Sequence, residues 1–145
     1  MIAISVAGGN LQDQTTLNVL LNHLEFGMLP EDAVTAPRFS TSHHQDSFNP
    51  NPDRSEAFLA AGSLRLNNDI SVQIRDELQK RGHDVSTTSR PIGHPVMLYI
   101  DRANRTIYAA GDPEADRHAA ALPSSWPHLD ELFRIGELVS APDTG

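Results

Sequence analysis

The chain has 145 residues, of which 39% are hydrophobic and 21% charged, and its 11 basic and 19 acidic side chains give a net charge of −8. A chain of this size buries about 68–70% of its unfolded surface, so the composition predicts one globular domain and argues against long disorder and fibrous architectures. The acidic balance argues against a nucleic-acid partner. The absence of cysteine excludes disulfides, thiolate zinc sites and cysteine nucleophiles.

The sequence also argues against a membrane partner. No apolar run approaches the roughly 18 residues that indicate a transmembrane helix. The first seven residues lack the positive charge and the apolar length of a secretory signal. We therefore expect neither a signal peptide nor a transmembrane segment, and the compartment stays open.

The chain opens with a predicted strand, a glycine turn and a helix. Ile2, Ile4 and Val6 indicate a short buried strand over residues 2–7, and Gly8-Gly9-Asn10 ends it. From Thr15 onward, apolar residues recur at the helical spacing i, i+3, i+4 and i+7. The predicted buried face of this helix carries Leu17, Leu20, Leu21 and Leu24. Asp13 suits its N-cap or first turn, and Gly27 suits its C-terminal stop.

The middle of the chain predicts two further helices separated by a loop. Pro30, followed by two acidic residues, begins a short helix that Pro37 ends. Residues 40–55 are rich in Ser, His, Asn and Pro and indicate an exposed loop, and a strand is predicted around residues 57–61 with Gly62 interrupting it. The features of the next helix are a cap at Asn68 or Asp69, a face of Ile70, Ile74 and Leu78, and an end at Gly82.

A hairpin is predicted over residues 96–101 and 106–110, with Asn104 in its loop. Its first strand is apolar on both faces, so we expect elements to cover it on both sides. The composition changes after Leu122, which divides the chain into residues 1–122 and a C-terminal part, residues 123–145. That part is predicted to be a linker followed by a helix, whose apolar stripe packs on the same domain or binds a partner.

The paired glycines Gly8 and Gly9 are the most interesting local feature of the sequence. Glycine lets the backbone expose consecutive N–H groups, and the following helix N-terminus favours an anion. Such a turn could bind a carboxylate or the oxyanion of an acyl-transfer intermediate. Paired glycines also form ordinary tight turns, and the local pattern leaves both interpretations open.

Neither a metal nor a cofactor is predicted. His43-His44 with Asp46 lies in the loop region, where adjacent side chains rarely converge on one ion, and solvated histidines are the preferred interpretation. The segment from Gly111 to His118 collects carboxylates without the spacing of a calcium loop, which indicates an Asp-Pro turn after a strand. The sequence contains no phosphate-binding loop, dinucleotide fingerprint or serine-nucleophile elbow.

A set of short segments, taken in order, carries a resemblance to a known family. The segments are Ala7-Gly8-Gly9-Asn10-Leu11-Gln12-Asp13-Gln14, Leu20-Leu21-Asn22-His23-Leu24-Glu25-Phe26-Gly27-Met28, Glu31-Asp32-Ala33-Val34, Ala36-Pro37-Arg38-Phe39, Leu78-Gln79-Lys80-Arg81-Gly82-His83-Asp84-Val85 and Tyr108-Ala109-Ala110-Gly111-Asp112-Pro113. Together they resemble the C-terminal part of the small subunit of gamma-glutamyltranspeptidases. The resemblance covers roughly residues 2–122, and the order of the segments makes it more specific than any one of them.

The resemblance implies the N-terminal-nucleophile hydrolase fold, in which two stacked sheets lie between helical layers. For this chain we expect the α/β class, with helices packed on antiparallel sheet in a partial layered sandwich. The resemblance also implies transfer or hydrolysis of a γ-glutamyl group, typically from glutathione, through an acyl-enzyme on an N-terminal threonine. In the family the paired glycines donate backbone N–H groups to the oxyanion, and by motif match Gly8 and Gly9 take that role.

The chain departs from the family pattern at the nucleophile. It opens with Met1-Ile2, and the threonine-led segment, the serine pair that helps bind substrate, and the large subunit with its arginine have no counterpart in it. Thr15 and Thr16 lie inside the first predicted helix without a free amine. Glu114 stands where the family carries arginine after Asp-Pro, and Arg117 is the nearest basic residue.

The expected function is therefore that of a fragment or subunit of a gamma-glutamyltranspeptidase-like enzyme. Such a chain supplies the oxyanion turn, lacks the nucleophile and is inactive by itself. Its expected partners are the nucleophile segment and large subunit of the same family, or further copies of itself as a homo-oligomer. The alternative is a non-catalytic binding or interaction module of the same fold.

Overall fold

A computed structural model gives the structure of the chain and describes residues 1–58 and 60–121. Its strands are β1 (Ile2–Ala7), β2 (Phe39–Ser40), β3 (Ser63–Asn67), β4 (Asp84–Thr88), β5 (His94–Asp101) and β6 (Thr106–Gly111), and its helices are α1 (Gln12–Leu24), α2 (Pro30–Thr35) and α3 (Val72–Lys80). Two 3-10 turns, Gly9–Leu11 and Pro113–Ala115, follow β1 and β6. None of these helices has the length and apolar character needed to cross a bilayer.

The first sheet has the strand order β1–β5–β6 and is antiparallel throughout. Ile4 of β1 pairs with Met97 of β5, and Met97 pairs with Ala110 of β6. Because directly paired side chains lie on the same side of a sheet, these residues share one face. That inner face meets the helices.

Helices α1 and α2 cover the inner face of the first sheet. The buried core consists of Val19 from α1, Ala33 and Val34 from α2, and Met97 and Ala110 from the sheet. The predicted short helix is confirmed as α2, with Pro30 in its first turn. It ends because Pro37 disfavours helical geometry at the preceding residue, and Ala36 accordingly has ψ 144°.

The second sheet has the strand order β2–β3–β4. β2 and β3 are antiparallel, whereas β3 and β4 are parallel. Parallel neighbours need a crossover connection, and α3 provides it between β3 and β4. The expectation of antiparallel sheet therefore describes the first sheet and misses this parallel pair.

The predicted buried face of α1 is wrong at three of its four leucines, and the fourth, Leu20, is half-buried. Leu17, Leu21 and Leu24 are between 41% and 58% exposed, whereas Thr15 and Val19 are buried. Thr15 and Val19 are about one helical turn apart, and Leu17 lies two residues from each, on the opposite side of the helix. The side that packs on the protein is therefore the one with the smaller residues, which leaves a leucine stripe on the surface.

Three local boundaries also differ from the sequence predictions. No strand forms over residues 57–61 among the described positions; the strand is β3, which begins directly after Gly62. The cap of α3 is Ser71, whose side chain accepts a hydrogen bond from the Ile74 N–H, so Ile70 lies before the helix. β1 alternates exposed and half-buried positions rather than being fully buried, because it is an edge strand with only one face covered by helices.

The predicted hairpin is confirmed as β5 and β6, but helices cover only one of its faces among the described residues. The other face carries Val96, Leu98 and Ala109, which line an open groove of about 320 Å³ together with Ala119 and Ala120. The predicted linker and terminal helix, residues 123–145, lie outside the described residues, so the division of the chain at residue 122 stays a prediction.

Candidate functional site

The site begins at the turn between β1 and α1, where two consecutive glycines have backbone conformations that other residues rarely adopt. Gly8 has φ +148° and Gly9 has φ +57°. A side chain at either position would be strained, because the Cβ atom of an L-residue clashes with the backbone at positive φ. The turn can take this shape because both residues are glycine.

The turn leads directly into helical backbone. The Leu11 N–H donates to the Gly8 carbonyl over 3.0 Å, and the Gln12 N–H donates to the Gly9 carbonyl. The first N–H groups of a helix have no partner inside it. No hydrogen bond donated by the N–H of Gly8 or Gly9 is found among residues 1–58 and 60–121. Two adjacent backbone donors therefore stand at the positive end of the α1 dipole.

Gly93, just before β5, packs behind this turn. Its Cα lies 3.8 Å from where a Cβ atom on Gly8 would be. A Cβ atom on Gly93 would lie 2.2 Å from Thr15 Oγ1, which is far inside van der Waals contact. Gly93 therefore allows β1, α1 and the start of β5 to approach closely, and this contact selects the side of α1 that is buried.

Thr15 is 1% exposed, and its hydroxyl is the one buried side-chain polar atom in the described part of the chain without a hydrogen-bond partner. Thr15 and Thr16 both lie within α1, so neither carries a free amine. A hydroxyl in this position contributes packing against Gly93 rather than a nucleophile.

A buried ion pair joins two segments that the sequence analysis did not connect. The Arg38 guanidinium, 2% exposed, donates to Asp112 Oδ2 and to the Val34 carbonyl, and its Nε donates to the Ile92 carbonyl over 2.8 Å. Asp112 also accepts a hydrogen bond from the Glu114 N–H over 3.1 Å, which caps the 3-10 turn after β6. The predicted Asp-Pro turn is thus confirmed, and its aspartate has a second role that local pattern could not indicate.

Arg38 connects both sheets and α2. Its own backbone N–H donates to Asn67 Oδ1 over 2.8 Å, at the end of β3, while its side chain reaches Asp112, after β6. The two residues of the ion pair are 74 positions apart in the sequence. Both occur in segments that carry the family resemblance, and that is the only signal in the sequence that marks them.

The histidine pair lies in the predicted loop and does not form a metal centre with its neighbours. His43 and His44 are on the segment after β2, and His44 Nδ1 contacts the Gln45 carbonyl at 3.1 Å. Asp46 instead binds the Phe48 N–H, which is the main reason that the pKa of Asp46 is lowered. Among the residues that the structure describes, no group of three or more His, Asp or Glu side chains is arranged to hold a metal ion.

Comparison with known proteins gives one family. A family model described as gamma-glutamyltranspeptidase matches residues 1–122. A search of curated protein sequences finds no match.

Solved structures support the same assignment at the level of the fold. A gamma-glutamyltranspeptidase T380A mutant from Helicobacter pylori superimposes with a TM-score of 0.61 and 21% identity over 78% of this chain and 53% of that chain. The gamma-glutamyltranspeptidase from Pseudomonas nitroreducens, complexed with L-DON, superimposes with a TM-score of 0.63 and 19% identity over 85% of this chain and 55% of that chain. A cephalosporin acylase from Bacillus halodurans superimposes with a TM-score of 0.64 and 21% identity over 83% of this chain and 20% of that chain.

These similarities confirm the predicted α/β fold of the N-terminal-nucleophile hydrolase type. The chain spans about half the length of the two gamma-glutamyltranspeptidase chains that it matches.

Proposed function

The chain belongs to the gamma-glutamyltranspeptidase family, and from that premise we propose that it is a fragment or subunit of an enzyme that transfers or hydrolyses γ-glutamyl groups. Its substrates are of the glutathione type. In this proposal the chain supplies the oxyanion turn, and a separate threonine-led segment of the same family supplies the nucleophile. That segment and a large subunit are its proposed partners.

The proposed chemistry is acyl transfer through a covalent intermediate. The threonine oxygen attacks the γ-carbonyl carbon while the free amine of the same threonine takes the hydroxyl proton. The carbonyl oxygen becomes negative and accepts hydrogen bonds from the N–H groups of Gly8 and Gly9. The tetrahedral intermediate then expels the amine of the substrate, which takes up the proton that the threonine amine had accepted. In the second half-reaction, water or an acceptor amine attacks the acyl-enzyme and releases the acyl group.

The observation that carries this proposal is the pair of backbone donors at Gly8 and Gly9. Neither N–H is used in a hydrogen bond among the described residues, and the turn stands at the N-terminus of a 13-residue helix. A donor fixed in place before the reaction costs no reorganisation when charge develops. Removing one such donor typically lowers kcat by about 10²–10³-fold.

A non-catalytic binding module is the second candidate function. The leucine stripe of α1, formed by Leu17, Leu21 and Leu24, favours it, because three leucines at i, i+4 and i+7 on an exposed helix face can form an interaction surface. A subunit of a larger enzyme would use the same stripe against its partner subunit. The two candidate functions therefore differ in whether they require the glycine turn, because only the enzyme needs its N–H groups.

The test uses a γ-glutamyl anilide and follows release of the coloured amine. A purified polypeptide of these 145 residues should show no turnover above the buffer blank, because each of its threonines lies inside the polypeptide and has no free α-amine. Addition of a threonine-led segment and large subunit from the family should restore turnover, and Gly9→Ala should then abolish most of it.

Gly27→Ala is the matched control for the glycine variant. Gly27 has φ +67°, close to the φ of Gly9, and a Cβ atom there would contact nothing within 4 Å. Both variants therefore carry similar backbone strain, but only Gly9→Ala lies at the proposed site, where its Cβ atom also comes within 2.9 Å of Phe48 Cε2. Steady turnover by the pure chain would contradict the proposal that another segment supplies the nucleophile. Equal turnover of the two reconstituted variants would contradict the oxyanion role of the glycine turn.

A further inference from the structure

The loop after β2 returns to the glycine turn and places an aromatic ring on it. A Cβ atom on Gly9 would lie 2.9 Å from Cε2 of Phe48, so the ring lies against the α-carbon of Gly9. Phe48 is nevertheless 80% exposed, more than any other large apolar side chain in the described part of the chain. A large ring that touches the turn and is otherwise bare is available to contact a ligand bound there.

Two amide side chains near the start of α1 hold this loop. Gln14 pairs with the backbone of Thr41 in both directions: its Nε2 donates to the Thr41 carbonyl over 3.0 Å, and the Thr41 N–H donates to its Oε1 over 2.7 Å. Asn10 donates to Asp46 Oδ1 over 3.4 Å and accepts a hydrogen bond from the Ser47 hydroxyl. The loop is therefore fastened by residues one helical turn apart.

The last link in this arrangement fixes the backbone of Phe48 itself. Asp46 Oδ1, the atom that Asn10 binds, also accepts the Phe48 N–H over 2.9 Å. Asn10 directly follows Gly9 in the sequence, so the residue next to the turn is linked through Asp46 to the backbone of Phe48. These hydrogen bonds hold the backbone of the loop close to the turn, and within that loop the Phe48 ring lies against Gly9.

We propose that Asn10 and Gln14 are positioning residues, and that Phe48, which they hold over Gly9, forms a wall of the acyl-binding site. This inference rests on the proposed function, since it assumes that an acyl carbonyl lies at the Gly8–Gly9 turn. An aromatic ring beside that carbonyl contacts the methylene carbons of the acyl chain and keeps water away from the oxyanion. The ligand class that this wall favours is an acyl group with an aliphatic chain next to its carbonyl.

The test is an NMR titration of the full chain with two probes that differ in their aliphatic carbons. Glutathione carries the γ-glutamyl methylenes, whereas acetate carries only a carboxylate and a methyl group. Shifts of the Gly8 and Gly9 amides report binding at the turn, and nuclear Overhauser contacts report whether the Phe48 ring lies on Gly9. We expect Phe48→Ala to weaken glutathione binding by about fourfold for each methylene carbon that the ring covers, and to leave acetate binding unchanged.

The positioning residues should reproduce this selective loss. Asn10→Ala and Gln14→Ala should each reduce the Phe48–Gly9 contact and weaken glutathione binding without changing acetate binding. Phe48→Leu keeps an apolar side chain at position 48 and should therefore lose less glutathione affinity than Phe48→Ala. The matched controls are Asn18→Ala, which removes an amide of the same helix that bonds only within it, and Phe26→Ala, which removes an exposed ring elsewhere. Neither control should change either affinity.

The outcomes separate this inference from the proposed function. If glutathione shifts the glycine amides but Phe48→Ala leaves its affinity unchanged, the wall is wrong and the oxyanion turn stands. If Asn10→Ala and Gln14→Ala leave the ring on Gly9, the positioning role is wrong. If neither probe shifts the Gly8 and Gly9 amides of the unsubstituted chain, the oxyanion turn and the wall are refuted together.

Discussion

Replacing Asp112 with asparagine should destabilise the protein strongly, although the substitution changes neither the size nor the shape of the side chain. The amide oxygen of the new side chain can still accept the Glu114 N–H, so the cap of the following turn is retained. What is lost is the negative charge beside the Arg38 guanidinium, which is 2% exposed. A buried cation without its partner typically costs about 3–5 kcal/mol.

The rest of the Arg38 environment cannot compensate for this loss. Its other side-chain partners are the carbonyls of Val34 and Ile92, which are neutral dipoles. At about 3–4 °C per kcal/mol for a domain of this length, the melting temperature should fall by roughly 10–20 °C. Urea unfolding followed by circular dichroism gives the free energy of unfolding directly, provided that the transition has one step.

A matched control exists on the surface of the same chain. Arg81 and Glu77 form an ion pair on α3 whose side chains are 68% and 54% exposed. Glu77→Gln makes the same chemical change as Asp112→Asn, but water solvates the remaining arginine, so we expect a cost below about 0.5 kcal/mol. Equal costs for the two variants would refute the argument that burial makes the Arg38–Asp112 pair important.

A double substitution tests the cause of the effect. Arg38→Met removes the charge that Asp112→Asn leaves unpaired, so its cost should be smaller in the Asp112→Asn background than alone. Strict additivity of the two costs would mean that the residues do not interact through their charges.

Three further expectations follow from the structure. Gly9→Ala forces a Cβ atom to within 2.9 Å of Phe48, whereas in a Phe48→Ala background only the strain of φ +57° remains. The loss of unfolding free energy caused by Gly9→Ala should therefore be smaller in that background, and equal losses would mean that the ring moves away freely. Among the described residues, one face of the first sheet is uncovered and β1 lies at its edge, so we expect the isolated chain to form a homodimer or larger assembly through β1 or the predicted terminal helix. A monomer by light scattering at high micromolar concentration would contradict this. The pKa of Asp46 is lowered chiefly by the hydrogen bond from the Phe48 N–H. At a pH above the ordinary pKa of Asp, the ionised carboxylate therefore stabilises the folded loop, and this stabilisation is lost as the pH falls through the lowered pKa. The Phe48 amide shift should follow that titration, and in Asp46→Asn it should not.

Local chemistry in the sequence was sufficient for the elements that depend on neighbouring residues. The glycine turn after β1, the proline-bounded helix α2 and the hairpin of β5 and β6 are all found where the sequence predicts them. Each is specified within a few residues, by glycine at positive φ, by proline at a helix end, or by two strands joined through a short loop. The ordered family segments also led to the fold class, because their combination is rarer than any one motif.

The tertiary structure alone decided which surfaces these elements bury. The leucines of α1 have the spacing of a core face, yet the helix turns Thr15 and Val19 inward because Gly93 lets the backbone of the neighbouring strand approach on that side. Hydrophobic spacing identifies an apolar stripe but not the element that covers it. Here the described residues leave Leu17, Leu21 and Leu24 exposed.

The surroundings of the candidate site depended on the tertiary structure in the same way. Gly8 and Gly9 could be selected from the sequence, since adjacent glycines directly before a helix form a recognisable local pattern. Arg38 and Asp112 are 74 positions apart, and Asn10 meets Asp46 over 36 positions, with no periodicity that relates them. Such pairs form only when the chain has folded and side chains distant in sequence come into contact, so no local pattern could have predicted them.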